Sequence, residues 1–127
     1  MMEREASKKQ FILHCGIEVV EEEGGYYTRV EIAPEHLNPY GIVHGGLMYT
    51  MADTATGLTA GKYIDVPVTL DSDFHFLSNV SSGVLTAKAE IIKGGKHVMW
   101  LRVRVVADDK LVLAEGTFTY YSGKKKE

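Results

Sequence analysis

Apolar and polar positions alternate with period two along most of this chain, and a single stretch breaks the rule. In Val66–Leu77, Val68, Leu70, Phe74 and Phe76 fall on one side, with Thr69, Asp71, Asp73 and His75 on the other. In His97–Val106, Met99, Leu101, Val103 and Val105 oppose Trp100, Arg102 and Arg104. Such alternation predicts half-buried strands. Ile17–Glu22, Tyr26–Ile32, Val84–Ile92 and Leu111–Tyr121 are also strand-like. Turns fall at Glu23-Gly24-Gly25, Ser81-Ser82-Gly83, Lys93-Gly94-Gly95-Lys96 and Asp108-Asp109. Residues 3–13 read as a short helix stopped at Gly16, making 1–13 an N-terminal helical segment. Residues 122–127 read as a flexible tail.

The exception runs from Asn38 to Gly61. It opens with a turn (Asn38-Pro39, then Gly41), and from Gly45 to Gly61 its one charged side chain is Asp53. No proline interrupts that segment, so it predicts a helix that is apolar nearly all round and buried inside something larger. It is too short, and too rich in Gly, Thr and Asp, to span a membrane. The order is then two strands, a long helix and four strands in a meander. One antiparallel sheet curled around one helix packs that order most economically, giving a single α+β domain over 1–127.

Composition narrows the function. The chain has 127 residues, 45% of them hydrophobic, and a net charge of −3, which argues against nucleic acid as a partner. One cysteine, Cys15, excludes an internal disulfide framework or a multi-cysteine metal site and fits a reducing compartment. The first ten residues hold no apolar signal core, so cytoplasm is expected. Asp71, Asp73 and His75 share a strand face, but neighbours there stand roughly 6.5–7 Å apart, too far for one ion. A polar outer face is expected, and no metal site.

Two features of the helix carry candidate chemistry. At its start, His44-Gly45-Gly46 offers bare backbone N–H groups at the positive end of the helix dipole, with no side chain to block approach. Further on, Asp53 is a carboxylate with no basic neighbour between His44 and Gly61. Eight residues separate Gly45 from Asp53, roughly 12 Å along the axis. One helix therefore cannot bring both to one reacting group. Two antiparallel copies about a two-fold axis can, so joint use of the pair requires a homodimer.

With its spacing, the pattern Asn38-Pro39-Tyr40-Gly41-Ile42-Val43-His44-Gly45-Gly46, followed by Asp53-Thr54-Ala55, resembles the hotdog-fold acyl-CoA thioesterases. Within the 4-hydroxybenzoyl-CoA thioesterase superfamily it is most similar to the phenylacetate-degradation type. The element order, the Gly95-Lys96 turn and the Asp73-Phe74-His75-Phe76-Leu77 strand extend the likeness over roughly residues 10 to 121. The resemblance implies hydrolysis of an acyl-CoA, with coenzyme A as part of the substrate and no separate cofactor. It implies that the Gly45 N–H polarises the thioester carbonyl, and that Asp53 of the opposite protomer is nucleophile or general base. Asn38 would orient water or assist the leaving sulfur, Thr69 would steady the carboxylate, and His44 would support the helix mouth. Gly46, Lys96, Lys93 and Gly95 are the implied substrate contacts, and a dimer of dimers is the implied assembly. Ser78-Asn79 departs from the Arg-Pro pair of many relatives.

Two other functions fit the same fold. One is hydration or dehydration of a 3-hydroxyacyl thioester, with His36 as base and Asp53 of the partner chain as acid, although the dehydratases carry Pro-Gly where this helix begins with His-Gly-Gly. The other is a non-catalytic acyl-CoA-sensing module, which usually carries an extra DNA-binding segment.

Overall fold

The computed structural model describes residues 10–123. Helix α1 is Phe11–His14, strands β1 and β2 are Glu18–Glu22 and Gly25–Glu31, and helix α2 is Gly45–Ala60. Strands β3, β4, β5 and β6 follow at Pro67–Phe76, Val84–Gly94, Val98–Ala107 and Leu111–Ser122. The expected helix over 3–13 is thus a four-residue turn where it is described, and its first seven residues lie outside the described range. Of the expected tail, Ser122 closes β6 and the Gly123 N–H donates to the Val66 carbonyl. Residues 124–127 are outside the description.

All strand pairs are antiparallel, in the order β1-β2-β4-β5-β6-β3. This corrects the expected four-strand meander: β4, β5 and β6 are successive hairpins, but β3 lies at the far edge beside β6. The cause is the link after β3. Leu77 and Ser78 N–H groups both donate to the Leu113 carbonyl, and Val80 and Asn79 then bind Val43 at the entrance to α2. The link therefore crosses the helix entrance and delivers β4 next to β2. Asn79, the departure noted above, is a clamp: its Oδ1 accepts from the Val43 and Val80 N–H groups and its Nδ2 donates to the Val43 carbonyl.

Helix α2 buries Leu47, Met48, Met51, Ala52, Ala55, Thr56, Thr59 and Ala60, a stripe at helical spacing. It packs on the inward positions of β5 (Met99, Leu101, Val103, Val105) and on Leu85, Phe118 and Tyr120. The opposite side of α2 is small and hydroxyl-bearing, and only partly covered. Register shifts at Thr69/Asp71, Ile91/Lys93 and Val105/Val106 bend the strands so that the sheet curls around the helix. The β5–β6 turn has positive φ at both Asp108 (49°) and Asp109 (58°), as a tight hairpin requires. Among the described residues no helix is long and apolar enough to cross a membrane.

The first bulge corrects a second expectation. Leu70 is the extra residue, so alternation reverses there. Thr69 faces the helix together with Ser72, Phe74 and Phe76, while Asp71, Asp73 and His75 face outward.

Candidate active site

The chain enters α2 through a loop shaped by Asn38, whose Oδ1 accepts from the Tyr40 and Ile42 N–H groups at 2.8 and 3.3 Å. His44 is the N-cap, in extended conformation, and its Nδ1 accepts from the Gly46 N–H at 2.8 Å. The Leu47 N–H reaches the His44 carbonyl. These bonds satisfy two of the first three amides and leave the Gly45 N–H without a partner among the described residues. The sequence suggested two bare amides at this mouth; the His44 ring closes the second, so Gly46 is not available as a donor. The Phe76 ring lies over Gly45, and a Cβ there would meet its Cε1 at 3.2 Å.

Two turns along the helix, Asp53 is half-buried on the face that turns away from the core. Its Oδ1 accepts two hydroxyl bonds, from Thr69 Oγ1 at 2.9 Å and from the Tyr120 phenol at 2.6 Å. Its Oδ2 has no partner, and no Lys, Arg or His pairs with it, among the described residues. The carboxylate opens into a shallow pocket of 250 Å³ lined by Thr54, Gly57, Leu58, Pro67, Thr69 and Tyr120. Thr69 reaches Asp53 because the Leu70 bulge turned it inward.

Tyr120 is the residue that sequence reasoning missed. It is buried, and its ring packs between Phe118 and Gly57. Burial first, and then its bond to Asp53, push the phenol well above the ordinary tyrosine value, so near neutral pH it keeps its proton and can donate it. The signal was available: position 120 falls on the inward side of the last strand, and a buried tyrosine hydroxyl needs a partner.

The remaining candidates lie elsewhere. Lys93, Gly95 and Lys96 are exposed on the β4–β5 hairpin. The adjacent His97 carbonyl binds the Ser122 N–H where β3 begins, so the hairpin is at the end of the sheet opposite Gly45. Asp73 and His75 pair with each other at 3.2 Å on the outer face, where Arg102 and Arg104 pair with Glu90 and Glu115. The His36 ring is engaged on both sides. Its Nδ1 accepts from the Ala33 N–H at 2.9 Å, and its Nε2 donates to the Cys15 carbonyl at 2.7 Å. Both ring nitrogens are committed to holding α1 and the following loop together.

The profile of the thioesterase superfamily matches residues 40–114 of this chain. A 1,4-dihydroxy-2-naphthoyl-CoA hydrolase of Listeria monocytogenes is 27% identical over 116 residues, 88% of this chain and 94% of the relative. A Bacillus halodurans protein solved with CoA superposes with a TM-score of 0.85 at 27% identity, covering 98% of this chain and 83% of that one. A Streptococcus mutans protein bound to acetyl CoA gives a TM-score of 0.78 at 26% identity, over 87% and 91% of the two chains. These likenesses extend to the whole arrangement of one sheet curled around one helix, the hotdog fold.

Proposed function

The chain belongs to the thioesterase superfamily and is a thioester hydrolase, and from that premise we propose that it hydrolyses acyl-CoA at a site shared by two protomers. The observation that carries this reading is the Asp53 carboxylate, held by two hydroxyls on one oxygen and open on the other. A carboxylate presented in this way, without a countercharge, is suited to attack a carbonyl carbon or to take a proton from a water that does. The Gly45 N–H is the complementary group, an unpartnered amide at a helix N-terminus where negative charge on a carbonyl oxygen is favoured. Their separation along α2, roughly 12 Å, supports a site in which the two groups come from different protomers.

The surface supports the same pairing. Strand β3 is an edge of the sheet, and Val68, Leu70, Phe76 and Leu77 leave apolar area exposed along it. A second copy, related by a two-fold axis, would cover that edge and the outer face of α2. It would also bring the Lys93–Lys96 hairpin to the end of the dimer where the mouth of the partner subunit opens. Lys93 and Lys96 then meet the phosphates of the CoA nucleotide, with Gly95 allowing the approach. Asn38 stands beside the mouth, where its amide Nδ2 is left to meet water or the leaving sulfur. The CoA named for the Bacillus halodurans and Streptococcus mutans proteins, and the CoA ester named for the Listeria relative, support the substrate class. The spacing from Asn38 through His44-Gly45-Gly46 to Asp53 supports assigning the chain to the phenylacetate-degradation type within the superfamily.

The reaction balances simply. An oxygen of water, or of Asp53 with water opening the resulting anhydride, forms a bond to the carbonyl carbon, the C–S bond breaks, and a proton from water ends on the thiolate of CoA. The test is a panel of acyl-CoAs followed by free-thiol release. Asp53→Asn is expected to abolish release, and retention of turnover by that variant would overturn the assignment. Single turnover in ¹⁸O-water tests the nucleophilic role, since label in the Asp53 carboxylate requires an acyl–Asp53 anhydride opened by water at the Asp53 carbonyl, whereas label in the product acid alone is common to both roles.

A further inference from the structure

We infer that Tyr120 is a positioning residue for this reaction, fixing the Asp53 carboxylate so that Oδ2 faces the pocket. The inference rests on the reading of Asp53 just given. The Tyr120 oxygen lies 2.6 Å from Asp53 Oδ1, 2.7 Å from the Asp53 carbonyl and 2.8 Å from Thr56 Oγ1. A phenol has one proton to donate. The carboxylate is the stronger acceptor and the nearer one, so the proton goes to Oδ1. Thr56 stands behind the phenol, with its hydroxyl within reach of both the Tyr120 oxygen and the Ala52 carbonyl. Thr69 and Tyr120 thus approach the same carboxylate oxygen from adjacent strands, β3 and β6, and together set the plane of the group.

The helix makes room for this. Gly57 is one turn beyond Asp53, and a Cβ at that position would stand 3.3 Å from both Cε2 and the hydroxyl of Tyr120. Phe118 stacks on the ring at 6.4 Å between centroids. A glycine inside a helix is unfavourable, and here it lets an aromatic ring pass close enough to reach the carboxylate. The ionisable groups facing Asp53 are few. Strand β6 supplies Tyr120 and strand β3 supplies the neutral Thr69, while Asp71 is turned to the outer face. No cation pairs with Asp53 among the described residues. Hydroxyl donors therefore stand where other sites use a charge.

Tyr120→Phe keeps the ring and removes the donor. Thiol release from an acyl-CoA should lose about 10- to 100-fold in kcat, by analogy with outer-shell partners that orient metal ligands, with KM little changed. With kcat taken per folded molecule, a fall in kcat at unchanged KM separates orientation of the carboxylate from loss of binding or of folded protein. A variant with wild-type kcat, or with a change in KM alone, would overturn the role. Thr56→Val keeps the phenol in place and should lower kcat by less, so the test survives if the Phe variant folds poorly. Asp53→Asn is run beside them. Turnover that survives Asp53→Asn would sink the reading of Asp53 itself, and Tyr120 with it, whereas loss in Asp53→Asn with no effect in Tyr120→Phe sinks only the positioning role.

Discussion

Gly57→Ala sets two effects against each other on one residue. In a helix interior alanine is favoured over glycine by about 0.8–1.0 kcal/mol, so the substitution ought to stabilise α2. The added Cβ, however, would stand 3.3 Å from the Tyr120 ring edge and hydroxyl, closer than the roughly 3.5–4.0 Å of a relaxed carbon contact. The ring must retreat by a few tenths of an ångström, and the 2.6 Å bond to Asp53 lengthens accordingly. A hydrogen bond to a charged group contributes about 1.5–3 kcal/mol, and loss of about a third to a half of it would offset the helix gain. The expected outcome is a change in unfolding free energy within about 0.5 kcal/mol of zero. It should be accompanied by a five- to tenfold fall in kcat/KM, equivalent to about 1.0–1.4 kcal/mol. Thermal unfolding by circular dichroism and thiol release measure the two sides, with gel filtration checking that assembly is unchanged. A variant stabilised by the full helix propensity and undiminished in kcat/KM would show that Tyr120 does not depend on its seat at Gly57.

Three further outcomes follow from the geometry. Gly45→Pro removes the unpartnered N–H at a position where helices accept proline, so activity should collapse while the fold persists. Gly45→Ala, which keeps the amide and meets the edge of the Phe76 ring, Cε1 at 3.2 Å, is the steric control and should retain most turnover; equal loss in both would mean that space and not the amide matters. His36→Ala strands the Ala33 N–H and the Cys15 carbonyl, costing about 2–4 kcal/mol of stability, yet thiol release per folded molecule should stay within about twofold. Large loss of specific activity would return His36 to the list of reacting groups. Finally, the phenol of Tyr120 is raised above its ordinary value of 10.0 by burial and Asp53. Folding therefore favours its protonated form, and that contribution is complete below pH 10 and lost as pH rises beyond it. Tyr120→Phe should show a shallower alkaline decline in melting temperature than the wild type, and an identical decline would deny the shift.

What the sequence made legible was whatever depends on local pattern. The inward face of β5 is readable because period-two alternation has one solution when a single face is buried. The α2 boundaries are readable because His44 caps one end and no proline intervenes. The position of β3 was not readable, since pairing with β6 depends on where the link over 77–83 crosses the helix entrance, and that path is fixed by Asn79 and Val43 in three dimensions. Thr69 was chosen through family resemblance despite an alternation that placed it on the outer face. Only the Leu70 bulge turns it toward Asp53, and nothing in the local residue types marks a bulge there. The inward position of Tyr120 and its need for a partner were legible, but the partner was not, because 67 residues separate it from Asp53. Contacts of that range follow from strand order, and the strand order was misread.

The proposed sharing of one site between two protomers makes a prediction that no site within one chain can imitate. Mix Asp53→Asn and Gly45→Pro chains, each inactive alone, and let subunits exchange. About half of the dimers are then mixed if exchange is random. In a mixed dimer, one site draws its amide from the Asn-bearing chain and its carboxylate from the Pro-bearing chain, and both groups are intact. The other site collects both defects. Activity should therefore return to about one quarter of the wild-type level, one working site in two across half of the dimers. If Asp53 and Gly45 of the same chain served one carbonyl, every site in the mixture would carry one defect, and no proportion of the two variants would restore turnover. The α2 axis, at roughly 12 Å between the two residues, already weighs against that arrangement. Recovery that rises with the product of the two chain fractions would place the reacting groups on opposite protomers, and a mixture that stays inactive after demonstrated exchange would return both groups to one chain.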